Sequence, residues 1–158
     1  MEIDSIDTVL DANILVRASP SAKVGSLATE LLVRCLRFPN TLLISAPILV
    51  EVARVLQYPH LAKRWPLQAE DIDGFLSRLS RYGKLVSLPS SIPAVVSDPD
   101  DDPILQTAIL GRAHLLCTND LAFREPRVLE YAASHGVRIV TDVEAIHFLR
   151  ERGQGLLP

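Results

Sequence analysis

The chain reads as an α/β protein, a three-layer arrangement with a central parallel sheet of about five strands and helices on both faces. Three observations predict this. Short apolar runs of strand length alternate with helical patterns from one end of the chain to the other. Acidic residues stand directly after two of those runs, where strand-to-helix turns place them. The 158 residues, 48% hydrophobic and 22% charged, suit one domain with a proper core and exclude a disordered chain. The expected domain covers 1–152, with 153–158 as a frayed tail.

Thr8-Val9-Leu10 is a short buried strand ending at Asp11. Residues 22–38 carry Leu27, Leu31, Leu32, Cys35 and Leu36 at helical spacing. Leu42-Leu43-Ile44 is a second strand, after which Ser45 and Pro47 open a helix through Gln57. Residues 69–82 form an amphipathic helix with Ile72, Phe75, Leu76 and Leu79 on one face. Leu85-Val86-Ser87-Leu88 is the third strand. An acidic turn, SDPDDDP, then leads into a helix over 103–112. Strand Leu115-Leu116-Cys117, a helix over 126–135, strand Val137-Arg138-Ile139-Val140 and a helix over 142–152 complete the alternation.

Charge narrows the function. The formal net charge is −3, so a polyanion has to be met by a local basic patch or a bound cation. The acidic start Met1-Glu2-Ile3-Asp4 has no apolar leader, and the most apolar stretch, Thr41 to Val50, is short and interrupted by Pro47. Cys35 and Cys117 are expected to be buried, reduced thiols, which agrees with a cytoplasmic protein. There is no zinc spacing, no Gly-rich phosphate loop and no Ser/His/Asp pattern, and His60, His114, His135 and His147 are scattered.

The acids carry the chemistry. Ligands of an open parallel sheet bind beyond the carboxyl ends of its strands. Asp11 follows the first strand, and Asn119 and Asp120 follow LLCT, so two distant carboxylates reach the same edge. Either alone is as readily a turn cap. Glu51 lies between Ile48 and Val55 on the apolar stripe of its helix, where a carboxylate needs a partner such as Arg54, or a cation. Asp102 before Pro103 has the pairing of a helix N-cap and first residue, and one of its oxygens is then left for the cleft. Asp98 and Asp100 read as solvated, while Asp101 is open to either role. Such a set suits Mg²⁺ or Mn²⁺, hard ions that take oxygen ligands and serve phosphate chemistry.

Four segments resemble the motifs of PIN-domain ribonucleases of the VapC toxin kind. They are Val9-Leu10-Asp11-Ala12-Asn13-Ile14-Leu15, Leu49-Val50-Glu51-Val52-Ala53-Arg54-Val55-Leu56, Asp98-Pro99-Asp100-Asp101-Asp102-Pro103-Ile104-Leu105 and Leu116-Cys117-Thr118-Asn119-Asp120-Leu121. The resemblance extends over about 7–150. It implies a PIN-like fold, Mg²⁺- or Mn²⁺-dependent cleavage of RNA, and an acidic metal site of Asp11, Glu51, Asp102 and Asp120. Asn13, Thr118 and Asp101 would support that site. It also implies the toxin half of a toxin–antitoxin pair, with an antitoxin protein as partner and a homodimer as the assembly. Ala12 departs from the pattern, because the family usually has Thr or Ser there.

Two other classes compete. A haloacid-dehalogenase-like phosphotransferase also places Asp after its first strand, but its second acid would fall at position 13, which is Asn. A non-catalytic binding or scaffold domain would keep the acids for structure. For RNA placement the candidates are Arg54, Lys63 and Arg64, near His60 and interleaved with Tyr58 and Trp65.

Overall fold

The computed structural model describes residues 5–20, 25–58 and 67–154. Five strands, β1 (Asp7–Leu10), β2 (Thr41–Ile44), β3 (Lys84–Leu85), β4 (Leu115–Cys117) and β5 (Arg138–Val140), make one sheet in the order β3-β2-β1-β4-β5. Every pairing is parallel. Helices α1 (Ala12–Arg17), α2 (Leu27–Leu36), α3 (Ala46–Leu56), α4 (Ala69–Tyr82), α5 (Asp102–Leu110), α6 (Pro126–Ser134) and α7 (Asp142–Gln154) surround it. The expected α/β class is therefore the observed one.

Burial along the strands follows from their order. Thr8, Val9 and Leu10 are all buried, with no alternation, because β1 is central and covered on both faces. Helix α5 lies against β1, β2 and β4, while α2 and α7 pack on each other. The strand order reverses between β1 and β4, where Leu10 is in register with Cys117 and the Asp11 N–H donates to the Cys117 carbonyl at 3.0 Å. That pairing brings the two strand-end acids, Asp11 and Asp120, to one edge.

The helices begin and end for local reasons. Ser26 caps α2 by accepting from the Thr29 N–H, and the helix stops at Leu36 as the chain approaches Phe38-Pro39, where αR backbone is disfavoured. Pro47 sits in the first turn of α3, whose Ile48, Val52 and Leu56 are buried. A capping box of Gln68 and Asp71 starts α4, which buries Ile72, Phe75 and Leu79.

Several expectations need correction. The helix expected over 22–38 is described only as Leu27–Leu36. The third strand is Lys84–Leu85 rather than 85–88: Val86 still donates to the Ile44 carbonyl, but the chain then leaves the sheet toward Pro89 and Pro93, which have no N–H for a ladder. Helix α5 starts at Asp102, one residue earlier than expected, and ends at Leu110. The short helix α1 and the 3-10 turns Pro99–Asp101 and Leu121–Arg124 were not expected. Lys63, Arg64, His60 and Trp65 of the suggested RNA patch, and the end of the tail, lie outside the described residues. Among the described residues no helix is long and apolar enough to cross a membrane.

Gly83 joins α4 to β3 by close approach. A Cβ there would meet the Leu79 carbonyl oxygen at 2.7 Å and the Leu42 carbonyl oxygen at 3.1 Å. Both are backbone atoms of packed elements, so neither yields easily. Gly83→Ala should destabilise the fold by about 1–3 kcal/mol, measured by denaturant unfolding. An unchanged midpoint would mean that the α4–β3 junction is not tightly packed.

Candidate active site

Asp11 is the first residue beyond β1 and is 6% exposed. Its Oδ2 accepts a 2.7 Å hydrogen bond from Thr118 Oγ1, directly after β4. The same hydroxyl oxygen accepts from the Asp120 N–H at 3.1 Å, which leaves its proton for Asp11. Thr118 is fully buried, and its own N–H donates to the Val140 carbonyl. Arg124 closes the layer beneath, donating to the carbonyls of Thr118 and Ile139 at 2.9 and 3.2 Å. Asp120 is exposed, with one oxygen accepting from the Ala122 N–H at 3.0 Å. Ala12 is buried and offers no hydroxyl. Thr118 supplies the one that Asp11 uses.

A cavity of about 240 Å³ opens between these residues, lined by Asp11, Asn13, Ile14, Arg17, Asn119 and Asp120. Burial raises the Asp11 pKa above the usual carboxylate value. The Thr118 hydrogen bond and the N–H groups of Asn13 and Ala12 oppose that rise, and the charge of Asp120 adds to it. Asp101 is pushed up to about 7, first by burial and then by the charges of Asp120, Asp98, Asp11 and Asp100. Asp101 therefore shares an electrostatic neighbourhood with both strand-end acids.

Asp102 is placed differently from expectation, while Glu51 takes the Arg54 partner that was one of its two expected roles. Asp102 does not cap α5: it has helical backbone, is 4% exposed, and its Oδ1 accepts from the N–H groups of Val95 and Val96, both at 2.9 Å. It anchors the incoming segment. Asp101 stands at the cap position with no capping hydrogen bond, and Asp98 caps the 3-10 turn through the Asp100 N–H. Glu51 is half-buried and forms a two-point pair with Arg54, at 2.7 and 3.0 Å. Arg54 is also within the field of Asp100, so this pair borders the acidic turn.

Among the described residues no three His, Cys, Asp or Glu side chains converge as ligands for one metal ion. Asp11, Glu51, Asp102 and Asp120 are thus not gathered into a four-carboxylate cage. The donors around the cavity still fit a hard cation. Asp11 and Asp120 offer carboxylate oxygens and Asn13 an amide oxygen, and burial together with neighbouring acids disfavours the charged forms of Asp11 and Asp101. Mg²⁺ is commonly held by one or two carboxylates and otherwise by water.

Two participants were missed in the sequence. Arg17 lines the cavity from the end of α1, and Asp142 holds it from the start of α7 at 3.5 Å. The strand-end rule that picked out Asp11 and Asp120 would also have found Asp142, two residues after β5. Nothing in the sequence distinguished Arg17 from an ordinary surface arginine.

The model of the family described as PIN domain matches residues 7–122, from β1 to just past Asp120, and so takes in all four acidic motifs. No curated protein and no solved structure matches the chain.

Two predictions follow from the acids. Below the ordinary value of 3.8 Asp101 is neutral in both folded and unfolded chains; as pH rises toward about 7 the unfolded chain loses its proton first, so stability falls. In metal-free buffer, Asp101→Asn should abolish part of this decline, giving a melting temperature gain that is larger at neutral pH than in acid. A gain independent of pH would contradict the assignment. Separately, Asp102→Ala orphans two backbone N–H groups and should cost about 2–4 kcal/mol, with Asp102→Asn costing less. Chemical denaturation of both variants tests the order.

Proposed function

Because the chain belongs to the PIN domain family, whose members are generally nucleases and typically use divalent metal ions, we propose that it is a Mg²⁺- or Mn²⁺-dependent endoribonuclease. One observation carries this reading: Asp11 and Asp120, linked through Thr118, flank a cavity where the strand order reverses, with Asp101 in the same field. That edge is where parallel sheets bind their ligands.

Asp11 and Asp120 are the residues that would hold the ion, with Asp101 contributing negative charge beside them. Once bound, the ion supplies positive charge to the scissile phosphate and acidity to a water. Thr118 fixes the direction of the Asp11 carboxylate by donating to Oδ2. Asn13 and Asn119, both exposed, supply amide groups at the entrance. Glu51 and Asp102 act by holding the walls, through Arg54 and through the backbone at Val95 and Val96.

We further assign the chain to the toxin half of a toxin–antitoxin pair, as a homodimer restrained by an antitoxin protein. The form of its four motifs supports this, as does an acidic cavity able to accept an arginine from a partner in two-point hydrogen bonds. Expression alone should arrest growth, and co-expression with the adjacent small reading frame should relieve the arrest. Harmless expression of an RNase-active preparation would remove the toxin role and leave the nuclease.

The nuclease itself is tested on defined single-stranded RNAs with Mn²⁺ present or chelated. Asp11→Asn and Asp120→Asn should abolish cutting while the circular dichroism spectrum is retained. Thr118→Val, which removes only the orienting hydroxyl, should lower the rate about 10–100-fold. Undiminished cleavage by purified Asp11→Asn would overturn the reading.

A further inference from the structure

We propose that Arg17 binds a phosphate of the RNA strand next to the one being cleaved, an inference that rests on the nuclease reading above. Arg17 lies in the last turn of α1 and lines the same cavity as Asp11 and Asp120. Its side chain is 52% exposed, and among the described residues its recorded ion pair is the single 3.5 Å contact from Nη2 to Asp142 Oδ2. That distance is beyond the usual range for an N–H···O bond. Asp142 therefore attracts the guanidinium without saturating its five donors.

The holder is itself fixed. Asp142 is 15% exposed in its side chain, its Oδ1 accepts from the Val143 N–H at 2.8 Å, and its own N–H donates to Asn119 Oδ1 at 3.1 Å. Asn119 directly precedes Asp120, so the groups that aim Arg17 are tied to the loop that carries the strand-end acid. Other arginines near the site are committed elsewhere: Arg54 closes on both oxygens of Glu51, and Arg124 is turned onto the carbonyls of Thr118 and Ile139.

Position decides which phosphate is met. Six residues of helix separate Arg17 from Asp11, an axial rise of about 9 Å. That rise separates the two backbones; the guanidinium itself is drawn to Asp142 rather than to Asp11 or Asp120, which sets it beside the acids that would hold the ion, not on them. Its planar fork suits two oxygens of a neighbouring phosphate. A chain of net charge −3, with an acidic cavity, needs such a cation to draw in a polyanion. The effect should then fall on binding and KM, with kcat little changed.

The test uses a fluorescein-labelled, mixed-sequence single-stranded RNA. Binding is measured across a salt series in an Asp120→Asn background, and cleavage kinetics in the otherwise native chain. Arg17→Ala should raise KM about five- to tenfold with kcat within about twofold. Its log–log salt slope should be shallower by about 0.7, one phosphate contact on a single strand. Arg17→Lys should recover the slope and only part of the affinity, while Arg81→Ala, at the far end of α4, should change neither. If the native chain cuts RNA and Arg17→Ala keeps both KM and salt slope, the phosphate role is overturned and the nuclease stands. A variant that changes only melting temperature or Mn²⁺ affinity overturns it too, since Arg17 would then merely offset the acids. If the native chain neither binds nor cuts RNA, both readings fall together.

Discussion

The carboxylate of Asp11, buried at the end of the central strand, is the constraint around which the carboxyl edge of the sheet is arranged. β1 lies between β2 and β4, so its end cannot turn away to solvent, and the chain enters α1 at once. A desolvated carboxylate without partners is costly. Thr118 answers from β4, and it can do so because its hydroxyl already accepts from Asp120 and has only its proton to give. Arg124 holds the Thr118 carbonyl in turn, so the geometry around Asp11 extends through β4 to β5.

The acidic turn divides its labour among neighbouring residues. Asp98 closes a 3-10 turn, Asp101 leans toward the strand-end acids, and Asp102 grips the segment at Val95 and Val96. Successive residues on a helix point about 100° apart. Asp101 and Asp102 therefore project differently: Asp102 is taken up by two backbone N–H groups, while Asp101 makes no capping hydrogen bond. Two backbone donors on Asp102 Oδ1 fix the start of α5.

Much of this was legible beforehand because periodicity and capping act locally. Helix α4 lies over the residues its apolar stripe marked, and β1, β2 and β4 fall on their apolar runs because strands buried on both faces show no other pattern. Asp11 and Asp120 were found by position at strand ends and Thr118 through the resemblance of its motif, and the topology brings the three together. What was not legible depends on angles of a single residue or on distant pairing. Whether Asp101 or Asp102 faces the cleft turns on where the 3-10 turn hands over to α5. For Glu51 the sequence leaves Arg54 and a cation both open as partners, and only the fold shows both its oxygens taken by Arg54. Arg17 and Asp142 are 125 residues apart and meet only through the sheet.

The charge pattern links stability to the proposed chemistry. Asp101 and Asp11 are both shifted toward their neutral forms, which means the folded chain works against its own acids at neutral pH. Uncharged side chains in their place would relieve that tension permanently. A divalent ion relieves it only while bound, and whatever binds the folded state alone stabilises it in proportion to its occupancy. On the proposed reading, the cost of burying and crowding these acids and the affinity for a cation would be two expressions of one arrangement. The nearby arginines leave it intact: Arg54 is spent on Glu51 and Arg124 on backbone carbonyls, while Arg17 is drawn toward Asp142 instead of onto Asp11 or Asp120. The positive charge that this acidic pair lacks would, on the proposed reading, come from an ion brought from solution.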